Sequence, residues 1–146
     1  MKISTKGRYG LRAMVDLAVY SCGEHVSLSS IAERQEVSVS YLEQVFSALR
    51  KAGLVKSVKG AQGGYVLAGS PGDVTVGTIL RALEGDLSII DDNKDTEGGT
   101  VQNCIKAAVW DKINERIHQV VDSITLEDLA EQYKRLNADN GNMYYI

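Results

Sequence analysis

Ser27-Leu28-Ser29-Ser30-Ile31-Ala32-Glu33-Arg34-Gln35 and Ser40-Tyr41-Leu42-Glu43-Gln44-Val45-Phe46-Ser47-Ala48-Leu49-Arg50-Lys51 are two helical patterns a few residues apart. Directly after them, Leu54-Val55-Lys56-Ser57-Val58 and Tyr65-Val66-Leu67 have strand composition and flank the turn Lys59-Gly60-Ala61-Gln62-Gly63-Gly64. Helix, turn, helix and then a basic glycine-rich hairpin is a layout for placing one helix in a DNA groove with a wing on the backbone beside it. The predicted fold class is therefore mostly α with a small β-wing, the helix-turn-helix at about 27–51 and the wing at about 54–68.

The second helix carries the reading surface. Ser40 with Glu43 forms a capping-box pattern at its start. Leu42, Val45, Phe46 and Leu49 fall at i, i+3, i+4 and i+7, one apolar stripe facing a core. The opposite face holds Ser40, Glu43, Gln44, Ser47, Arg50 and Lys51. Its short polar groups and Glu/Gln pair near the helix start suit hydrogen bonds to base edges, a glutamate accepting from a cytosine amino group, and Ser40, Tyr41, Glu43 and Gln44 are expected to face bases. Arg50 and Lys51 follow where a phosphate backbone would pass. In the wing, Lys56 and Lys59 supply charge, and Lys59 with Gly60 forms a tip slim enough for a minor groove or a phosphate. In isolation such a helix would read as an ordinary solvated amphipathic face. The hairpin beside it shifts the reading to DNA.

Composition agrees. The chain has 146 residues, 44% hydrophobic and 24% charged, as expected of a globular domain with its own core. Its net charge of −3 conceals an asymmetry: residues 1–66 carry +4 and residues 67–146 carry −7. A basic head and an acidic remainder fit a DNA-facing part and a part that stays off DNA. No stretch approaches the roughly 20 apolar residues of a membrane span, and the start shows no signal-peptide pattern. Two cysteines make no disulfide framework, so the expected compartment is the cytoplasm.

Along the chain, Thr5 is positioned to cap a first helix with Leu11, Met14, Val15, Ala18, Val19 and Cys22 on one face. Lys2, Lys6, Arg8 and Arg12 cluster near its start, where cations oppose the helix dipole and phosphate would reward them. Ser70-Pro71-Gly72-Asp73 reads as a turn, and Val76, Ile79, Leu80 and Leu83 as a short helix closing at Gly85. This gives a winged helix-turn-helix domain at 1–85, followed by a flexible acidic loop at 86–103. A long helix then carries Ile105, Val109, Ile113, Ile117, Val120 and Ile124. That stripe exceeds what so small a domain needs, so Ile113, Ile117, Val120 and Ile124 are expected at a dimer interface. Thr125-Leu126-Glu127-Asp128 caps a last helix to about Leu136, completing a dimerisation and regulatory region at 104–136. Asn137 to Asn142 reads as a flexible tether and Met143-Tyr144-Tyr145-Ile146 as a free tail.

Cys22 continues the first helix's apolar stripe and reads as a small buried hydrophobe, whereas Cys104 borders the acidic loop. His25 and His118 lack partners at metal spacing, so no metal site is expected. No nucleophile triad, phosphate loop or carboxylate pair is evident, so the chain is not expected to be an enzyme and no catalytic residue is assigned.

Met1 to Gly10, Ser40-Tyr41-Leu42-Glu43-Gln44, Gly53-Leu54-Val55 and Gly63-Gly64-Tyr65 together resemble the Rrf-type winged-helix regulators over nearly the whole chain. The resemblance implies a homodimer gripping a pseudo-palindromic double-stranded operator through helix and wing. One branch of that family holds an iron–sulfur cluster with three cysteines and a histidine. Here the matching positions read Asp92, Gly98, Cys104 and Ala107, so no cluster is expected. The opening decapeptide, Thr125 to Ala130 and the terminal Met143 to Ile146 are instead similar to the cysteine-metabolism repressors, which act with cysteine synthase. An apolar residue carrying a free carboxylate suits an amino-acid-binding pocket. Two alternatives stay open: an enzyme-binding module with secondary DNA binding, and a redox- or cluster-sensing regulator.

Overall fold

The computed structural model describes residues 2–90 and 99–143. Helix α1 (Thr5–Tyr20) leads into the helix pair α2 (Leu28–Gln35) and α3 (Val39–Lys51), then the hairpin β1 (Val55–Val58) and β2 (Gly64–Leu67). A 3-10 turn (Pro71–Asp73) precedes α4 (Val76–Glu84). A continuous helical run follows, made of α5 (Val101–Ile105), a π-helical turn (Lys106–Trp110) and α6 (Asp111–Ser123), and α7 (Leu126–Met143) closes the chain. The predicted class, mostly helical with a two-stranded wing, is the observed one.

The apolar stripes meet in one core. Met14 and Leu17 of α1, Ile31 of α2, Leu42, Val45, Phe46 and Leu49 of α3, and Ile79 of α4 are all fully buried. Each such side chain contributes roughly 1.5–3 kcal/mol by leaving water. Gly7 and Gly10 let α1 approach α4, because a Cβ on either would overlap Glu84 or Leu83. The hairpin is antiparallel with Val55 opposite Leu67 and Val58 opposite Gly64. Val26, ahead of α2, exchanges both backbone hydrogen bonds with Tyr65 at 2.9 Å, tying the wing to the helix pair.

Several local expectations change. Ser38, not Ser40, caps α3: its hydroxyl accepts from the Tyr41 N–H at 3.1 Å. Glu36 adopts a left-handed conformation (φ 57°) that ends α2, so the chain re-enters a helix two residues earlier than expected, and Glu43 has no capping role. Ser4 likewise replaces Thr5 as the cap of α1, accepting from Gly7 N–H at 3.2 Å. Cys22 is exposed rather than buried: α1 stops at Tyr20, and a positive φ of 39° at Cys22 turns it away from the stripe.

The larger corrections concern the second half. The segment expected as a mobile loop begins with ordered contacts, Leu87 being buried and the Ile89 N–H donating to Asn114 Oδ1 at 2.8 Å. Helix resumes at Val101, while 91–98 lie outside the described residues. Across the expected division at residue 85, Leu126 at the start of α7 is fully buried in the same core as α1 and α3. Two backbone hydrogen bonds, Val76 N–H to Ile124 O and Leu126 N–H to Val74 O, pin that junction at 2.9 and 2.8 Å. The Thr125–Asp128 cap forms reciprocally at 3.0 Å in both directions. Beyond it, α7 runs through Asn137 to Asn142, the expected tether. Those polar residues and the lone Gly141 each cost less than about 1 kcal/mol in a helix, and no proline intervenes to end it.

Gly63 and Gly64 are required by close approach rather than by φ: a Cβ at Gly64 would overlap the Val26 carbonyl and one at Gly63 the Val58 carbonyl. Gly64→Ala should therefore lower unfolding stability by about 2 kcal/mol through forced backbone displacement. Gly69→Ala, with open space around its Cβ, should be near neutral. Equal denaturation midpoints for the two variants would refute the Val26–Gly64 contact as the constraint.

Candidate nucleic-acid interface

The buried stripe of α3 fixes which residues face out. Ser40, Glu43 and Gln44 are exposed at its start, and Arg50 and Lys51 at its end. Tyr41 is half-buried because its ring meets Tyr9 of α1 edge-on, with centroids 6.2 Å apart. Lys56, Lys59 and Gly60 are exposed along the hairpin, and Gly60 takes a φ of 124° that leaves the tip open. From Ser38 to Val66 the chain carries four cations and one carboxylate, Glu43. Helix face and wing thus form a net positive surface with one acid among its base-height groups. Such a surface can hold a polyanion by counterion release and discriminate bases by donors and acceptors.

The hairpin is braced at its tip, where the His25 ring Nε2 meets the Gln62 carbonyl. Phe46 packs on Tyr65 with ring centroids 4.9 Å apart, coupling the middle of α3 to the second wing strand. Helix and wing are therefore packed against each other. His25 is one residue that sequence reasoning assigned no role; only the folded hairpin brings it to Gln62.

The basic cluster of α1 divides. Lys2 and Arg8 are exposed, and Arg8 borders the groove between α1 and α7. Arg12, also exposed, is instead engaged within the protein: its Nη2 donates to the Gln35 carbonyl at 2.8 Å and its guanidinium lies 4.6 Å over the Tyr9 ring. It satisfies a free carbonyl at the C-terminus of α2, a site that favours cations. The signal was present in the sequence as a cation without an evident partner. Arg34 is bidentate to the buried Asp16 at 2.7 and 2.9 Å, and this hydrogen bonding raises the Arg34 pKa above its ordinary value.

Of the four residues expected at a dimer interface, two face solvent and two do not. Ile113 and Val120 are exposed, whereas Ile117 and Ile124 pack with Val76, Leu80 and Leu87 of the same chain. Ile105, Val109 and Val101 add to the exposed apolar face. On the opposite side Arg81 binds Asp122 at 2.6 and 2.9 Å and His118 Nδ1 at 2.8 Å, clasping α4 to α6. The Arg81 hydrogen bond holds the Asp122 carboxyl below the usual carboxylate range. Met143 ends α7; Tyr144, Tyr145 and Ile146 lie outside the described residues. No described helix is long and apolar enough to cross a membrane.

A helix pair whose second, capped helix presents a polar face, with a braced basic hairpin beside it, defines a winged helix-turn-helix transcriptional regulator. The chain belongs to the Rrf2 family, described as iron-dependent transcriptional regulators, whose model matches residues 3–132. It is 48% identical to the transcriptional regulator CymR of Bacillus subtilis, over 89% of this chain and 90% of that protein. It is 44% identical to IscR of Vibrio atlanticus, over 90% of this chain and 76% of that one. Among solved structures, CymR, described as the global cysteine regulator of B. subtilis, superposes with a TM-score of 0.78 at 47% identity, covering 90% of this chain and 98% of that chain. T. potens IscR superposes at 0.73 with 49% identity, covering 91% and 88%. These relatives are named as regulators, in agreement with the non-enzymatic reading. Identity alone does not separate the two branches.

Lys59→Ala and Glu43→Ala should part in their effects on DNA. The first should weaken binding to all duplexes by about 1 kcal/mol and reduce the salt slope by about one. The second removes a carboxylate from the positive surface, so total affinity should hold or rise while base discrimination relaxes. With Ser38 as the cap, Glu43→Ala should leave the melting temperature nearly unchanged. Titrations over a salt series with matched and scrambled duplexes measure both; parallel behaviour of the two variants would contradict these roles.

Proposed function

We propose that the chain is a homodimeric repressor of cysteine and sulfur metabolism genes, acting in the cytoplasm on a two-half-site operator with cysteine synthase as its protein partner. The observation that carries the DNA part is the braced positive surface of α3 and wing. Ser40, Tyr41, Glu43 and Gln44 face bases; Lys2, Arg8, Arg50, Lys51, Lys59 and Gly60 lie along phosphates or the minor groove.

Dimerisation is supported by the exposed row Ile105, Val109, Ile113 and Val120, a contiguous apolar face of a kind that marks an interface. Beside it, an apolar hollow of about 490 Å³ runs along Lys112, Ile113, Arg116, Ile117, Val120 and Val121. Charging Val120, which is 56% exposed, should dissociate the dimer without unfolding the protomer. Val120→Asp should sediment as a monomer and lose most operator affinity, since each protomer then grips one half-site. A fully dimeric Val120→Asp would locate the interface elsewhere. Ile117→Asp is a poorer test, because that side chain packs in its own protomer.

The cysteine branch is supported by the ends of the chain and by the missing cluster ligands. An iron–sulfur cluster needs roughly four ligands, usually thiolates. Cys104 is exposed on α5 and Ala107, exposed one turn on, has no donor atom. Among the described residues no group of three or more His, Cys, Asp or Glu is placed to hold a metal ion. These residues do not fit a cluster, and the reading has none.

For the partner, the segment Met143, Tyr144, Tyr145 and Ile146 would lead into the amino-acid-binding pocket of the enzyme. Substrate that accumulates when cysteine is scarce would compete with the tail and dissolve the complex by mass action. Removal of Ile146 alone should abolish binding to cysteine synthase by calorimetry while dimerisation and intrinsic DNA affinity persist. Equal enzyme affinity with and without Ile146 would end the partner assignment and leave the DNA assignment standing.

A further inference from the structure

Glu84 is the last residue of α4, and a carboxylate there opposes the dipole of its own helix. It reaches instead to the N-terminus of α1, where a negative charge is favoured. Its Oε1 accepts from the Ser4 N–H at 2.7 Å and from the Ser4 hydroxyl. That hydroxyl in turn accepts from the Gly7 N–H at 3.2 Å, so cap and carboxylate form one chain of hydrogen bonds. Gly7 leaves the room for it, since a Cβ there would lie 2.2 Å from Glu84 Oε1. A glycine inside a helix weakens it relative to alanine, so that room has a cost in α1.

The head of the chain is thereby fixed. Ile3 packs beside Val76, Leu80 and Leu87, Ser4 is held by Glu84, and Lys2, next in line, is exposed. Further along α1, Tyr9 meets Tyr41 of the reading helix edge-on, with ring centroids 6.2 Å apart. The Lys2 backbone is thus carried on a segment anchored to α4 and continuous with the turn of α1 that touches α3. A lysine on a held backbone loses less freedom on meeting a phosphate than one on a frayed end.

We infer that Glu84 is a positioning residue for DNA binding: by clamping Ser4 to the end of α4 it holds Lys2 in place for a backbone phosphate. As a carboxylate, Glu84 on its own would repel that backbone. Its positioning effect and its charge effect are therefore opposite in sign. A variant that keeps the charge but separates it from Ser4 isolates the first. The inference rests on the DNA-binding reading, with Lys2 as one of its contacts.

The test uses the full-length protein and two variants that keep the charge. Glu84→Asp shortens the side chain by a methylene, and Gly7→Ala pushes the carboxylate off Ser4 from the other side. Without DNA, exchange of the Ser4 amide should quicken several-fold in both. Affinity for a duplex selected from random sequence by the parental protein should fall about three- to tenfold, and the salt slope should shrink by about one, the loss of one phosphate contact. Affinity for poly(dI-dC) should fall by the same factor, because a phosphate contact carries no sequence information. Lys2→Ala should give the same losses, and Lys2→Ala combined with Glu84→Asp should be no worse than Lys2→Ala alone. The melting midpoint of Gly7→Ala should not fall, because alanine is the better helix former; a merely structural role would lower midpoint and affinity together. A parental salt slope in both clamp variants, or losses that add fully to those of Lys2→Ala, would overturn the inference. If the parental protein binds no duplex, the DNA-binding reading fails by itself and the phosphate role goes with it, whatever the Ser4 exchange shows.

Discussion

The carboxylate of Asp16 is the charge this fold has taken out of water, and its compensation constrains much of the head. A buried carboxylate left alone would cost several kcal/mol, so the end of α2 must deliver its donors to that spot. Arg34 and Gln35 both do so, from adjacent positions in one turn. The helix that precedes the reading helix is thereby keyed to α1 in rotation as well as in distance. An aliphatic contact would have tolerated sliding, because dispersion and hydrophobic burial are weakly directional. A bidentate guanidinium–carboxylate pair does not. Removing one partner would cost roughly 3–5 kcal/mol, discounted here because the Arg34 side chain keeps 31% of its exposure. The gain is one orientation of α2, and so one starting point for α3.

The wing obeys a different constraint. Its two strands are too short to stand alone, and a bare hairpin is marginal in water. Three attachments compensate: Val26 against Tyr65, Phe46 against the Tyr65 ring, and His25 at the Gln62 carbonyl. Gly64 makes the first attachment possible by letting backbone lie against the Val26 backbone, and Gly63 does the same within the hairpin against the Val58 carbonyl. Glycine at Gly60 serves the other purpose, an open tip in a conformation that costs side-chain-bearing residues energy. Stiffness at the base and slimness at the tip are what a phosphate- or groove-reaching element requires.

How far the sequence revealed this depends on the kind of question asked of it. Periodicity identified Leu42, Val45, Phe46 and Leu49 as a buried face, and the strand composition around the glycines located the wing to within a residue or two. Caps were harder. Ser38 and Ser40 are equally good N-cap residues, and the glutamate three positions after Ser40 favoured the wrong one; the left-handed turn at Glu36 decided otherwise. Arg12 shows a further limit. Its place on the helix was legible, but whether a cation meets phosphate or a helix C-terminus depends on a residue 23 positions away. The same holds for His25 and for Asp16, whose partners are remote in sequence. Periodicity reports that a face is covered, and never by what.

The helical run from Val101 to Ser123 makes that distinction visible in one element. At 3.6 residues per turn, a step of four overshoots a full turn by about 40°, and a step of three falls short by about 60°. Ile105, Val109 and Ile113 are spaced by fours, and an uninterrupted α-helix would carry them around its surface. The π-helical turn at Lys106–Trp110 intervenes; a wider turn takes up more residues and rotates the stripe back. All three are exposed, at 40%, 39% and 39%. The next step of four, free of any π turn, swings Ile117 towards α4, where it joins Val76 and Leu80. The step of three to Val120 then returns the stripe to solvent. One run of apolar residues thus has two environments: the chain's own core at Ile117, and an outward face at Ile105, Val109, Ile113 and Val120. The spacing sets where it turns from one to the other.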